Sequence, residues 1–304
     1  DDIEIENYIQ IKSGCRQGDC CSGVLFACLI EPLLYNIRKI SKAYAFADDI
    51  IMTLEKITKH DFTKICKQFK KIEKISNLKV NLDPTKTCLI PTLRTPTVAD
   101  RDIITNTIWP NFQSNYRESE EYLGVLFGRN VTPTKMFQKA IGKMRHAAIE
   151  WGRVPLSLSS KMFVSNIFLI AYTSYISQVT IMPKGVANSI RTIVKNFCMN
   201  FKWIDEEIFY LLPNILNISK GHAPRDPLLW SYATILRASK EDIPDASITN
   251  PKSHSQSVVV ARSKFREMTG ANFDNEVPSG LSYQSFYYTK MIDSISITPC
   301  IDKI

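Results

Sequence analysis

Phe46-Ala47-Asp48-Asp49 lies between two short β-rich runs, Lys42–Ala47 and Ile50–Leu54. Runs and acids together read as a β-hairpin with carboxylates at its tip. Neighbouring carboxylates repel each other and are costly to bury together. A divalent cation removes that cost. A hard ion such as Mg²⁺ takes oxygen ligands, commonly one or two carboxylates plus substrate phosphates. Two-metal phosphoryl transfer requires such a pair. A plain polar turn is the other reading of the same residues, because Asp is common in turns.

Working outward toward the N-terminus, Ile5–Ile11 alternates as a strand does, and Gly14–Gly18 is a glycine turn. Val24–Ile40 is apolar at helical spacing, interrupted by Pro32. A glycine turn opening into a helix lets backbone approach a phosphate or base, and a helix N-terminus favours anions. Arg16 can pair with a phosphate bidentately, and Gln17 can bond sugar or base. On the other side of the hairpin, Thr58–Ser76 reads as a helix. Phe62, Ile65, Cys66, Phe69, Ile72 and Ile75 form its inner set, and Lys59, Lys64, Lys67, Lys70, Lys71 and Lys74 its outer face. That face is either solvated or a contact for a phosphate backbone. Leu78–Ile90 reads as a turn and a strand, 91–117 as irregular, and Glu121–Phe127 as a strand. From Thr134 the pattern is helical, at about 134–151, 158–182, 185–202 and 226–239. Residues 245–280 carry no clear pattern.

The composition is that of a globular chain, with 44% hydrophobic and 22% charged residues among 304, which excludes a disordered or collagen-like class. A net charge of +8 favours an anionic partner. The eight cysteines form no Cys-x-x-Cys pair or Cys/His cluster, which argues against structural zinc and against a disulfide framework. A reduced, intracellular protein fits, in nucleus or cytoplasm. Met162–Met182 is uncharged. However, Asn166, Thr173, Ser177 and Thr180 form a polar stripe, so the stretch reads as a buried amphipathic helix and not as a membrane span. Between Glu150 and Asp205 there is no acid, leaving Arg153, Lys161, Lys184, Arg191, Lys195 and Lys202 unopposed along the sequence. Trp109, Trp151, Trp203 and Trp230 read as core residues rather than base-stacking platforms.

Taken in order, these segments resemble the reverse transcriptases of non-LTR, LINE-type retrotransposons. Gly14, Arg16-Gln17-Gly18, Ser22, Leu25-Phe26 and Glu31-Pro32-Leu33-Leu34 match one motif of that family, and Phe46-Ala47-Asp48-Asp49 matches its active-site hairpin. Leu78-Lys79-Val80-Asn81 with Lys86-Thr87 is similar to the next motif, with Asn77 in place of a common Gly. Tyr122-Leu123-Gly124 is similar to the primer-grip turn. Trp151, Leu156–Ser159, Tyr175 and Pro183 resemble the thumb, and Asp226–Trp230 the segment after it. The resemblance spans roughly residues 5–240.

The resemblance implies an α+β fold: a partial palm at 1–130, with an antiparallel sheet and helices on one face, a helical thumb at 131–215 and a C-terminal extension at 216–304. It implies RNA-directed DNA polymerase chemistry on an RNA template, a DNA primer and dNTPs, with Mg²⁺, or Mn²⁺ in its place, and no membrane. Asp48 and Asp49 would be the metal ligands and Lys86 the acid near the departing pyrophosphate. Arg16, Gln17 and Gly18 would line the nucleotide pocket together with Phe46, which would also support the primer end, and Tyr122, Leu123 and Gly124 would grip the primer. Arg153, Lys161, Lys184, Arg191, Lys195 and Lys202 would meet the nucleic acid. The family's first catalytic Asp lies upstream of its Arg-Gln-Gly motif. The expectation is therefore a truncated palm that does not polymerise alone. A decayed, inert copy that at most binds nucleic acid is the alternative.

Overall fold

The computed structural model describes residues 19–56, 58–83, 85–92, 94–105, 116–199, 204–206, 208–210, 223–241, 256–270 and 282–294. Helices and two small two-stranded sheets make an α+β architecture. The chain divides into two compact units, one reaching to Glu120 and one starting at Glu121. The strand expected at Ile5–Ile11 and the turn at Gly14–Gly18 lie outside the described residues.

In the first unit, α1 spans Ser22–Arg38 and runs straight through Pro32 instead of being interrupted there. Proline removes the N–H that would bond the carbonyl of Cys28. Both residues sit on the exposed side, so the loss of that bond does not fall in the core. β1 (Lys42–Phe46) and β2 (Asp49–Thr53) then pair antiparallel, from Lys42 opposite Thr53 to Phe46 opposite Asp49. Alternation along the strands separates two faces. Ala43, Ala45, Ile50 and Met52 join Ile30, Leu33, Leu34 and Ile37 of α1 in one core cluster. Phe69 and Ile72 of the next helix complete it.

That helix, α2, spans Lys59–Ser76. The Thr58 hydroxyl caps it by accepting from the Asp61 N–H, and donates in turn to the Asp61 carboxylate. It stops at Asn77, whose left-handed φ of 60° lets its N–H reach the Glu73 carbonyl. Asn tolerates that conformation better than most residues, so it can stand where a Gly is common. Phe62 and Cys66 form a second cluster with Leu54, Leu82, Leu89 and Tyr116. Ile75, expected inside, is exposed.

Two expectations in this unit are corrected. The strand expected within Leu78–Ile90 is absent among the described residues, where Leu89 makes a single parallel bridge to Tyr116. The Asn81 and Asp83 side chains capture the N–H groups of Asp83 and Thr85, and this local bonding competes with a ladder. The irregular stretch 91–117 contains α3, Val98–Thr105. Thr97 and Asp100 start it with a reciprocal pair of bonds between side chain and N–H.

In the second unit, Glu121–Phe127 is not one strand. β3 (Ser119–Tyr122) and β4 (Val125–Gly128) form a hairpin around Leu123 and Gly124. α4 spans Pro133–Gly152, capped by the Thr132 hydroxyl with proline at its first position. The single helix expected over 158–182 is broken into α5 (Leu158–Val164), a wide turn at Ser165–Leu169, α6 (Ala171–Ser174) and a tight turn at Ile176–Gln178. α7 (Lys184–Cys198), α8 (Pro227–Glu241), α9 (Gln256–Thr269) and α10 (Tyr283–Asp293) follow.

One core cluster runs from Phe137 and Met144 of α4 through Met162, Leu169 and Ile190 to Trp230. The other gathers Leu229, Ala233, Leu236, Phe265, Tyr287 and Met291. α8 supplies both. Among the described residues, no helix is long and apolar enough to cross a membrane. The described cysteines are free thiols. Burial pushes Cys66 up to about 11 and Cys198 up to about 12, which keeps both protonated.

Candidate active site

The hairpin tip is a two-residue loop, Ala47-Asp48, closed by the pair Phe46–Asp49. Ala47 takes the left-handed conformation at φ 50°. Asp48 therefore stands in the loop, and Asp49 is the first residue of β2. Cross-strand partners share a face, so Asp49 lies beside Phe46, with Tyr44 and Ile51 next along. This face is open, with Phe46 66% and Tyr44 59% exposed. Both carboxylates are exposed too. The opposite face is the one sealed by α1 and α2.

Two adjacent, accessible carboxylates on a rigid turn match the oxygen ligands that Mg²⁺ prefers. Among the described residues, no further His, Cys, Asp or Glu joins them in a cluster of three. The one such cluster described is Asp19, Cys20 and Cys21, fully exposed. Its carboxylate caps the turn into α1 by accepting from the Cys21 N–H.

Lys86 sits on a turn that polar side chains build. Asp83 Oδ1 accepts from the Thr85 N–H at 2.7 Å and from its hydroxyl at 2.6 Å. The Lys86 and Thr87 N–H groups close onto the Asp83 carbonyl. These bonds hold the Asp83 carboxyl below its ordinary pKa. Leu82 and Leu89 anchor the two ends of the turn against α2. The sequence motif pointed to Asn81, Lys86 and Thr87, but Asp83 was overlooked. Its signal was the Asn-x-Asp-x-Thr spacing, an Asx-turn pattern.

In the second unit, Leu123 (φ 48°) and Gly124 (φ 79°) are both left-handed, as in a primed hairpin turn. A Cβ on Gly124 would lie 3.7 Å from the Tyr175 ring, so this ring rests on the turn. Lys139 pairs with Glu121 at 2.6 Å and ties the hairpin to α4.

The six cations of the acid-free stretch are not all unopposed. Arg191 bonds the buried Asp226 through Nε and Nη2, at 2.8 and 2.6 Å. Arg153 pairs with Glu150. Lys195 donates to the Ile204 carbonyl, and Lys161 lies over the Phe197 ring. Lys184 is exposed. Trp151 packs on Phe168, and Trp230 is buried with its indole N–H on Ser174. Arg16, Gln17, Gly18, Lys202, Trp109 and Trp203 lie outside the described residues.

Residues 3–127 match the family model "Reverse transcriptase (RNA-dependent DNA polymerase)". Over that stretch the chain is similar to reverse transcriptases. The matched span contains the Asp48–Asp49 hairpin, the Lys86 turn and the Tyr122–Gly124 turn. Polymerases of this family generally use divalent metal ions, and the open carboxylate pair suits one. Among curated proteins none matches the chain.

Proposed function

We infer that the chain is the palm and thumb portion of an RNA-directed DNA polymerase of the LINE type. The observation that carries this is the hairpin tip: Asp48 and Asp49 are adjacent, accessible and set on the open face of β1–β2. Asp48 and Asp49 would hold the metal, which neutralises phosphate charge during transfer to a primer 3′-hydroxyl. Phe46, exposed beside Asp49, gives the primer end an apolar support. Arg16, Gln17 and Gly18 are assigned to the nucleotide by motif. Lys86 is assigned to the departing pyrophosphate, and the Asp83-bonded turn limits its freedom. The Tyr122–Gly124 turn, backed by Tyr175, is the primer grip. Arg153 and Lys184 are the thumb cations left accessible for a duplex backbone, while Arg191 is committed to Asp226.

Two-metal sites use more carboxylate than one pair on a single turn supplies. Where a further carboxylate completes the pair, the protein should extend a DNA primer on an RNA template, and Asp48→Ala should reduce extension to background. Primer extension with Mg²⁺ and dNTPs decides the point. Undiminished extension by the Asp48→Ala product defeats the assignment. A protein that binds primer–template but never extends it favours the inert-copy alternative.

A further inference from the structure

The outer face of α2 is a second charged surface, separate from the hairpin tip. At about 100° per residue, Lys59, Lys64, Lys67, Lys70, Lys71 and Lys74 fall within an arc of about 140°. This arc lies nearly opposite Phe62, Ile65, Cys66, Phe69 and Ile72, which face the core. All six lysines are exposed. None makes an ion pair among the described residues. The helix's two acids, Asp61 and Glu73, fall outside the arc and are engaged with His60 and Lys79.

A merely solvated helix face usually mixes signs, with acids and bases paired three or four residues apart. Here Lys67 is followed by Lys70 and Lys71, and Lys70 by Lys74, so neighbouring turns repel. α2 also covers the hairpin face carrying Ala43, Ala45, Ile50 and Met52, whereas Asp49 stands on the other face with Phe46. The lysines point away from the sheet on the covered side. A strand whose end is held at Asp48 and Asp49 is thus on the opposite side of the sheet from these lysines.

We propose that the lysine face of α2 binds the phosphate backbone of a second nucleic-acid segment, apart from the one at the hairpin tip. The charge spacing suits that partner. Lys59 to Lys74 spans about 22 Å along the axis, the length of about six phosphates of one duplex strand. Lysine acts as a point charge on phosphate without reading sequence. A membrane surface fits less well, because the apolar side of α2 is packed in the core and cannot insert. An acidic protein fits less well, because the arc has no aromatic or arginine anchor.

The test uses the full chain and does not depend on the polymerase reading. Binding of a fluorescent single-stranded RNA and of a fluorescent DNA duplex is followed by anisotropy over a salt series, each without competing nucleic acid. Wild type is compared with the combined variant Lys67→Glu, Lys70→Glu, Lys71→Glu, Lys74→Glu. The variant should bind RNA at least about tenfold more weakly at low salt. Its slope of log affinity against log salt should be shallower by about 3, at ~0.7 for each of the four lost contacts on a single strand. RNA and DNA bound alike supports phosphate itself as the ligand, and a preference assigns the source. Unchanged affinity and slope overturn the proposal. So does lysine-dependent capture of phosphatidylserine vesicles with no RNA binding. If circular dichroism shows that charge reversal disturbs the fold, Lys→Gln at the same positions replaces it. RNA must then also protect these lysines of the wild type from acetylation, and absence of protection is fatal. A protein that never extends a primer yet binds RNA through the α2 lysines keeps this proposal and loses the polymerase one.

Discussion

Asp100 shows how one carboxylate organises a loop and what acid does to it. It accepts from the Thr97 N–H at 2.9 Å and lies 2.7 Å from the Arg94 guanidinium. Arg94 first, then the Thr97 bonds, hold its pKa at about 2. In an unfolded chain it titrates near ~3.9. A carboxylate whose folded pKa is depressed favours folding above its unfolded pKa, and that contribution disappears as pH falls through the folded value. Between about pH 4 and pH 2 the urea midpoint of the wild type should therefore drop more steeply than that of Asp100→Asn. Parallel curves would contradict this role. The Thr97-x-x-Asp100 spacing was legible as a helix start, yet the stretch read as irregular because its apolar pattern is short. The turn at Leu123 was legible from the motif resemblance and not from the strand pattern. Leucine rarely adopts φ 48°, a conformation that costs an L-residue roughly 1–2 kcal/mol. Nothing local in Glu121–Phe127 announces a turn except Gly124, so the hairpin read as one strand.

At the level of elements, the segment 158–182 buries a polar stripe beside its apolar core residues Met162, Leu169, Ile170 and Ile176. Asn166, Thr173 and Ser177 are buried, whereas Phe163, Ile167, Phe168, Tyr172, Tyr175 and Val179 are more than 40% exposed. The polar stripe and its burial were both legible from spacing. Its partners were not, because they lie 49 to 59 residues away in sequence. The Asn166 amide donates to the Ala223 carbonyl and accepts from the Arg225 N–H. The Ser174 hydroxyl accepts from the Trp230 indole, and Ser231 accepts from the Met182 N–H. The stripe is a dock for the segment 223–231. Asn166→Ala would leave a half-buried carbonyl and a half-buried N–H without partners, at a cost of about 1–2 kcal/mol. Ile167→Ser, one residue along on the exposed side, should change stability by less than about 0.5 kcal/mol. Urea unfolding of the two variants separates this arrangement from an ordinary amphipathic helix, for which the larger loss would fall on Ile167.

For the molecule as a whole, the second unit is held together by α8. Its Trp230 belongs to the cluster of α4 and α7, while Leu229, Ala233 and Leu236 belong to the cluster of α9 and α10. Asp226 fastens its start: it caps the helix through the Leu228 and Leu229 N–H groups and accepts the Arg191 guanidinium of α7. Its own N–H donates to the Tyr288 hydroxyl of α10. One residue thereby joins three helices. A change of character near residue 215 was legible from the loop-forming Lys220–Pro224, but this joint was not, since Arg191 and Asp226 are 35 positions apart. A fragment of residues 121–215 would lose the Trp230 side chain and the only carboxylate described on Arg191. It would also expose Phe137, Met144 and Ile190, which are fully buried in the chain. A fragment of residues 121–304 keeps both clusters whole. The longer fragment should give a dispersed amide NMR spectrum and one cooperative urea transition, and the shorter one a collapsed spectrum with no cooperative transition. A dispersed spectrum from residues 121–215 would mean that α8 adds to a unit already complete without it.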